Sequence, residues 1–115
     1  MIDDEAELVD AVKMRLEANG YEVIAACDGE EGVKKSVSEH PDLIILDMVM
    51  PKINGIEALS RIKSDPRTLN IPVVMLTAKS EREYILDAGK LGAADYIVKP
   101  VSMQELVVTV DKFIH

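Results

Sequence analysis

Tryptophan is absent from the chain, phenylalanine occurs once and tyrosine three times. Surfaces that stack on bases need aromatic faces, and surfaces that follow a phosphate backbone need clustered basic residues. Here 13 lysines and arginines face 21 aspartates and glutamates, a formal net charge of −8, and the basic residues do not cluster. Direct binding to nucleic acid is therefore disfavoured. No apolar run approaches the roughly 20 residues that a bilayer crossing requires. The opening MIDDEAE is acidic where a signal peptide is basic. The single cysteine, Cys27, has no partner for an internal disulfide. At the end of EVIAAC it reads as a small buried side chain rather than a reactive thiol. A chain of the cytoplasm, without membrane contact, is the expectation. Gly/Ser-rich linkers and low-complexity tracts are also missing, so residues 1–115 read as one domain.

What the chain does have is a repeated unit. Short apolar runs at Glu22–Cys27, Leu43–Leu46, Ile71–Leu76 and Ala94–Val98 suit strands of a parallel sheet covered on both faces. Between them lie helical stripes: Leu8, Val9, Val12 and Leu16; Leu59 and Ile62; Tyr84, Ile85, Ala88 and Leu91; Leu106, Val107, Val110 and Ile114. A capping residue followed three positions later by Glu recurs as Asp4/Glu7, Asp28/Glu31, Asn54/Glu57, Ser80/Glu83 and Ser102/Glu105. Gly20, Pro41 and Gly92 mark helix ends. Strand then helix, five times over, predicts an α/β doubly wound fold with helices on both faces of a parallel sheet. The first strand is the exception, since only Met1 and Ile2 precede the acidic cluster, whereas strands usually run about five or six residues. It is truncated.

In a doubly wound sheet, functional groups gather at the carboxyl ends of the strands. Four polar features fall there: Asp3-Asp4-Glu5, Asp47, Thr77 and Lys99-Pro100. Crowded carboxylates repel unless a cation compensates, and a hard divalent ion such as Mg²⁺ accepts one or two of them together with water and phosphate oxygens. Lys99 adds a fixed positive charge. Asp47 then becomes a usable nucleophile toward phosphorus, because phosphoryl transfer asks mainly for positioning and charge neutralisation. Taken singly, each residue has a plainer reading. Asp3 and Asp4 would cap the first helix, Asp47 or Thr77 would shape a turn, and Lys99 would be a solvated loop charge. Their coincidence at matching strand ends favours a site.

These motifs, DDE at 3–5, LDMVMPKING around Asp47, LTA at 76–78 and GAADYIVKP at 92–100, together resemble a response-regulator receiver domain of two-component signalling, of the stand-alone CheY-like kind. The resemblance runs from Asp3 onward and implies a flavodoxin-like five-stranded sheet of order 2-1-3-4-5. It implies that Asp47 is the phosphoacceptor, taking its phosphoryl group from a histidine kinase, a phosphotransfer protein or a small donor such as acetyl phosphate. Mg²⁺ would be held by Asp4 and Asp47, by Asp3 mainly through water, and by the Val49 backbone carbonyl. Thr77 and Lys99 would bind phosphoryl oxygens, and Lys99-Pro100 would be a cis peptide. Thr77 and Tyr96 would form the switch, read by a downstream protein at the face of the fourth helix, fifth strand and fifth helix, where Ile85, Tyr96 and Val107 lie. Val49 and Lys79, two positions beyond Asp47 and Thr77, would tune the lifetime of the phosphoryl group.

The truncated strand departs from that pattern. It would expose ladder edges on both neighbours, so either a trimmed chain or a homodimer that shares strands is expected, and a phosphorylation-dead structural receiver is the corresponding alternative. A Mg²⁺-dependent phosphohydrolase with an aspartyl-phosphate intermediate would want a second acid at Val49, and a flavin or nucleotide carrier would want a phosphate loop where the chain reads DDEAE. Both are disfavoured. The expected activity is self-catalysed phosphorylation and dephosphorylation only. With no output domain following the fifth helix, output is expected through a partner protein, and a domain excised from a longer regulator fits the sequence equally well.

Overall fold

The computed structural model describes residues 1–48, 54–78 and 87–114. Helices and strands alternate: α1 (Ala6–Ala18), α2 (Gly29–Glu39), β1 (Ile44–Asp47), α3 (Gly55–Ser64), β2 (Val73–Ala78), a helical turn at 87–90 (α4), β3 (Asp95–Lys99) and α5 (Met103–Phe113). The three strands pair in parallel, in the order β1-β2-β3. Each ends one or two residues later than its apolar run, because the ladder extends through Asp47, Ala78 and Lys99. Polar residues thus become the last rungs.

Side-chain alternation sorts the core into two layers. Ile44 and Leu46 of β1 join Val73 and Met75 of β2 beneath Ala58, Leu59 and Ile62 of α3. Ile45, Val74, Leu76 and Ile97 face the opposite way, against Val12 and Leu16 of α1 and Leu106 and Val110 of α5. Helices accordingly cover both sides of the sheet, α1 packing beside α5 and α2 beside α3.

Three of the five expected caps form. The side chains of Asp28, Asn54 and Ser102 accept from the N3 amides of Glu31, Glu57 and Glu105 at 2.9, 2.9 and 3.3 Å. Ser80/Glu83 lies outside the described residues. Asp4/Glu7 is corrected: α1 begins at Ala6 with Glu5 at its N-cap and no side-chain cap bond. Instead Asp3 Oδ1 accepts from the Glu5 amide at 2.8 Å, which fixes the turn one residue earlier than a capping box would. Gly20 and Gly92 end their helices at φ +89° and +104°, whereas α2 closes on His40 in the left-handed region just before Pro41.

The strand expected at Glu22–Cys27 is also corrected, since residues 21–25 carry no ladder. Ile2 makes isolated parallel bridges to Ala26 on one side and Leu46 on the other. Ile2 bridges its two neighbours at that level, and residues 21–25 carry no strand pairing of their own. Cys27, one residue past this contact, is exposed rather than buried.

Gly55 sets how closely α3 approaches β1. A Cβ there would fall on the Asp47 carbonyl oxygen and lie 2.7 Å from Met48 Cα, backbone atoms that cannot swing aside. We expect Gly55→Ala to lower stability by roughly 2 kcal/mol, read as a lower urea midpoint at unchanged slope.

Candidate functional site

The last rungs bring chemistry to one edge. Asp47 ends β1 at 4% exposure and Lys99 ends β3, its backbone in register with Ala78 of β2. The Lys99 ammonium lies 3.1 Å from Asp47 Oδ1, 3.6 Å from Asp3 Oδ2 and 2.8 Å from Glu5 Oε1. Asp3 is 1% exposed, being carried into the sheet by the backbone bonds of Ile2 and Asp3 to Ile45 and Ala26. Asp4 stays exposed, yet its carboxylate joins those of Asp3 and Asp47, with ligand atoms within 4.8 Å of one another. Thr77, fully buried on the adjacent rung of β2, donates from Oγ1 to the Ala78 carbonyl oxygen at 3.2 Å. Lys99-Pro100 is a cis peptide.

Among the described residues, four carboxylates gather around the Lys99 ammonium, those of Asp3, Asp4, Glu5 and Asp47. Burial pushes the Asp3 carboxyl above its ordinary value, against the pull of the Glu5 amide and Lys99. Burial works the other way on Lys99, lowering it, but the Glu5 hydrogen bond and the charges of Asp47 and Asp3 prevail and hold it well above the usual lysine range. Asp3 Oδ2 is buried without a hydrogen-bond partner. An unsatisfied oxygen inside an all-oxygen acidic cluster is what a hard cation would relieve.

The family model of the response regulator receiver domain matches residues 1–111. This chain belongs to that family. The receiver is 43% identical over 106 residues to the alkaline phosphatase synthesis transcriptional regulatory protein PhoP of Bacillus subtilis, covering 92% of this chain and 43% of that protein. It is 41% identical to the phosphate regulon transcriptional regulatory protein PhoB of Pseudomonas aeruginosa, covering 93% and 47%. The receiver thus spans less than half the length of these curated relatives. Among solved structures, a response regulator from Chloroflexus aurantiacus superposes with TM-score 0.91 at 33% identity, covering 97% of this chain and 92% of that one. The chemotaxis protein CheY4 of Vibrio cholerae gives 0.91 at 29% identity, covering 98% and 94%.

Of the residues singled out in the receiver's sequence, Asp3, Asp4, Asp47 and Lys99 meet in space, and Thr77 shares their sheet edge. Tyr96 stands on the same strand as Lys99, 47% exposed. Val49, Lys79 and Ile85 lie outside the described residues. Sequence reasoning passed over Glu5 as a partner of Lys99. Its signal was faint: the third acid of DDE, placed where α1 starts. Among the described residues no helix is long and apolar enough to cross a membrane.

The Asp3 shift has a sign that can be checked. A carboxyl raised by folding makes the folded state hold more protons than the unfolded one, so its contribution to stability falls as pH climbs from about the ordinary value of 3.8. In chelator at neutral pH, Asp3→Asn should therefore be more stable than wild type, by about 1 kcal/mol. Paired urea titrations should show this advantage shrinking toward acid, where wild-type Asp3 takes up its proton.

Proposed function

We propose that this receiver is the phosphoacceptor of a two-component phosphorelay, with Asp47 taking a phosphoryl group from a histidine kinase, a phosphotransfer protein or a small acyl phosphate. The observation that carries the reading is the pairing of Asp47, buried on the last rung of its strand, with the Lys99 ammonium at 3.1 Å. An Asp47 oxygen forms its bond to phosphorus as the bond from phosphorus to the donor nitrogen or oxygen breaks, the electron pair leaving with the donor. Lys99 and Thr77 bind oxygens of the transferred group. We assign Asp3, Asp4 and Asp47, with the Val49 carbonyl, to Mg²⁺, and Asp3 Oδ2, buried without a hydrogen bond and 3.6 Å from the Lys99 ammonium, supports that assignment. When bound there, Mg²⁺ supplies positive charge against the phosphoryl oxygens. The chain turns over its own phosphoryl group and no external substrate.

The switch follows from the same charges. A phosphoryl group adds about 1.5 to 2 negative charges and fresh acceptors. Thr77 Oγ1 then exchanges the Ala78 carbonyl for a phosphoryl oxygen, Lys99 exchanges Glu5, and Tyr96 turns inward, shifting the balance between two arrangements of nearby loops. A downstream protein reads this at the face of α4, β3 and α5, the fourth helix, fifth strand and fifth helix of the repeat. The unit is residues 1–115, with a sheet of order 2-1-3-4-5 whose first two positions leave their trace in the bridges of Ile2. That the curated relatives are longer transcriptional regulators supports a receiver that controls output carried elsewhere.

Intact-mass spectrometry after incubation with acetyl phosphate and Mg²⁺ tests this. One phosphoryl adduct is expected on the wild type, and none on Asp47→Ala or in chelator. A folded wild-type chain that gains no adduct would mark a receiver that has lost its chemistry.

A further inference from the structure

Of the three acids in ion-pair distance of the Lys99 ammonium, Glu5 is the outermost. Its side chain is 58% exposed, while those of Asp3 and Asp47 are buried. It is also the nearest, at 2.8 Å against 3.1 Å for Asp47 and 3.6 Å for Asp3. The backbone explains why this carboxylate is available. Glu5 holds the N-cap of α1, where a short side chain commonly accepts from an amide of the first turn, but its own side chain makes no such bond. Its amide donates to Asp3 Oδ1 at 2.8 Å, which fixes the residue in extended form. The longer glutamate arm then crosses to the end of β3 and meets Lys99.

An ammonium in this position can settle in two ways. Drawn inward, it neutralises Asp47 and Asp3 and takes up the oxygens that a metal ion needs. Drawn outward, it leaves those oxygens to the cation. Positive charges that compete for one set of carboxylates are balanced by whatever other counter-ion lies near them. Glu5 is that counter-ion for Lys99. A pair at the solvent edge is weak, so it yields to a stronger acceptor, which a sealed pair would not.

We propose that Glu5 is a positioning residue for the phosphoryl transfer assigned to Asp47, acting through Lys99 as a displaceable counter-ion at the rim of the pocket. It draws the ammonium away from Asp47 and Asp3, so that those carboxylates stay open to a divalent cation and Lys99 stays free to move onto the phosphoryl oxygens. The inference rests on the phosphoacceptor reading and adds to it a residue that bonds neither metal nor phosphorus.

Calorimetric titration of Mg²⁺ into the chain, with no phosphoryl donor present, tests this. The proteins are wild type, Glu5→Gln, Glu5→Asp, Lys99→Met and the double variant of Glu5→Gln with Lys99→Met, each checked for folding by circular dichroism. Glu5→Gln should weaken Mg²⁺ binding roughly fivefold, the weight of one exposed ion pair, as the ammonium closes on Asp47 and Asp3. Glu5→Asp keeps the charge but loses the reach, and should fall between wild type and Glu5→Gln. Lys99→Met should tighten Mg²⁺ binding. In that background Glu5→Gln should cost no more than about twofold, the residual field of a solvated charge. Should Lys99→Met fail to fold, the order of wild type, Glu5→Asp and Glu5→Gln decides alone. Either single variant at Glu5 matching the wild type, or a Glu5→Gln effect of equal size without Lys99, would overturn the proposal. A wild type that binds Mg²⁺ but gains no adduct from acetyl phosphate would instead remove the phosphoacceptor reading, and this proposal with it.

Discussion

Everything at the carboxyl edge of this sheet is arranged around one ammonium surrounded by carboxylates. Lys99 is held within 3.6 Å of Asp47, Asp3 and Glu5 together. Each of those acids comes from a different local rule: the last rung of β1, the stump wedged between two segments, and the start of α1. Three backbone solutions must agree before the charges can meet. Among the described residues the cluster gathers four carboxylates against one ammonium, a donor set that suits a hard cation. The same imbalance makes Lys99 a contested partner, available to any stronger acceptor that arrives.

The division of labour between the two layers explains why so much was legible beforehand. Where an apolar run was fully covered, as in Ile44–Leu46 or Val73–Leu76, composition alone identified the strand. Where a cap depended on a side chain three residues from its amide, as at Asp28, Asn54 and Ser102, spacing identified the helix start. Asp47 and Lys99 were readable because they interrupt such runs at equivalent places.

The misses share a different cause, namely dependence on a partner that local spacing does not reveal. Asp4 fits a capping pattern, but α1 starts at Ala6 with Glu5 at its N-cap, and the turn before it is held by Asp3 accepting from the Glu5 amide. Glu22–Cys27 has strand composition, yet a strand exists through its neighbours, and the stump supplies one for Ala26 alone. Cys27 follows from this, as the chain leaves the sheet at Ala26 and turns toward the cap at Asp28. Glu5 was invisible because its partner is 94 residues away. Periodicity carries no information on such a pair.

One small feature reaches further than its size suggests. The amide of Gly55 donates to the Met48 carbonyl oxygen at 2.8 Å, and the bare Cα lies against the Asp47 carbonyl. That bond and that close approach tie the first turn of α3 directly to the end of β1. A change that shifts α3 against the sheet therefore reaches Asp47, and the ammonium paired with it, through backbone contact rather than through a relay of side chains.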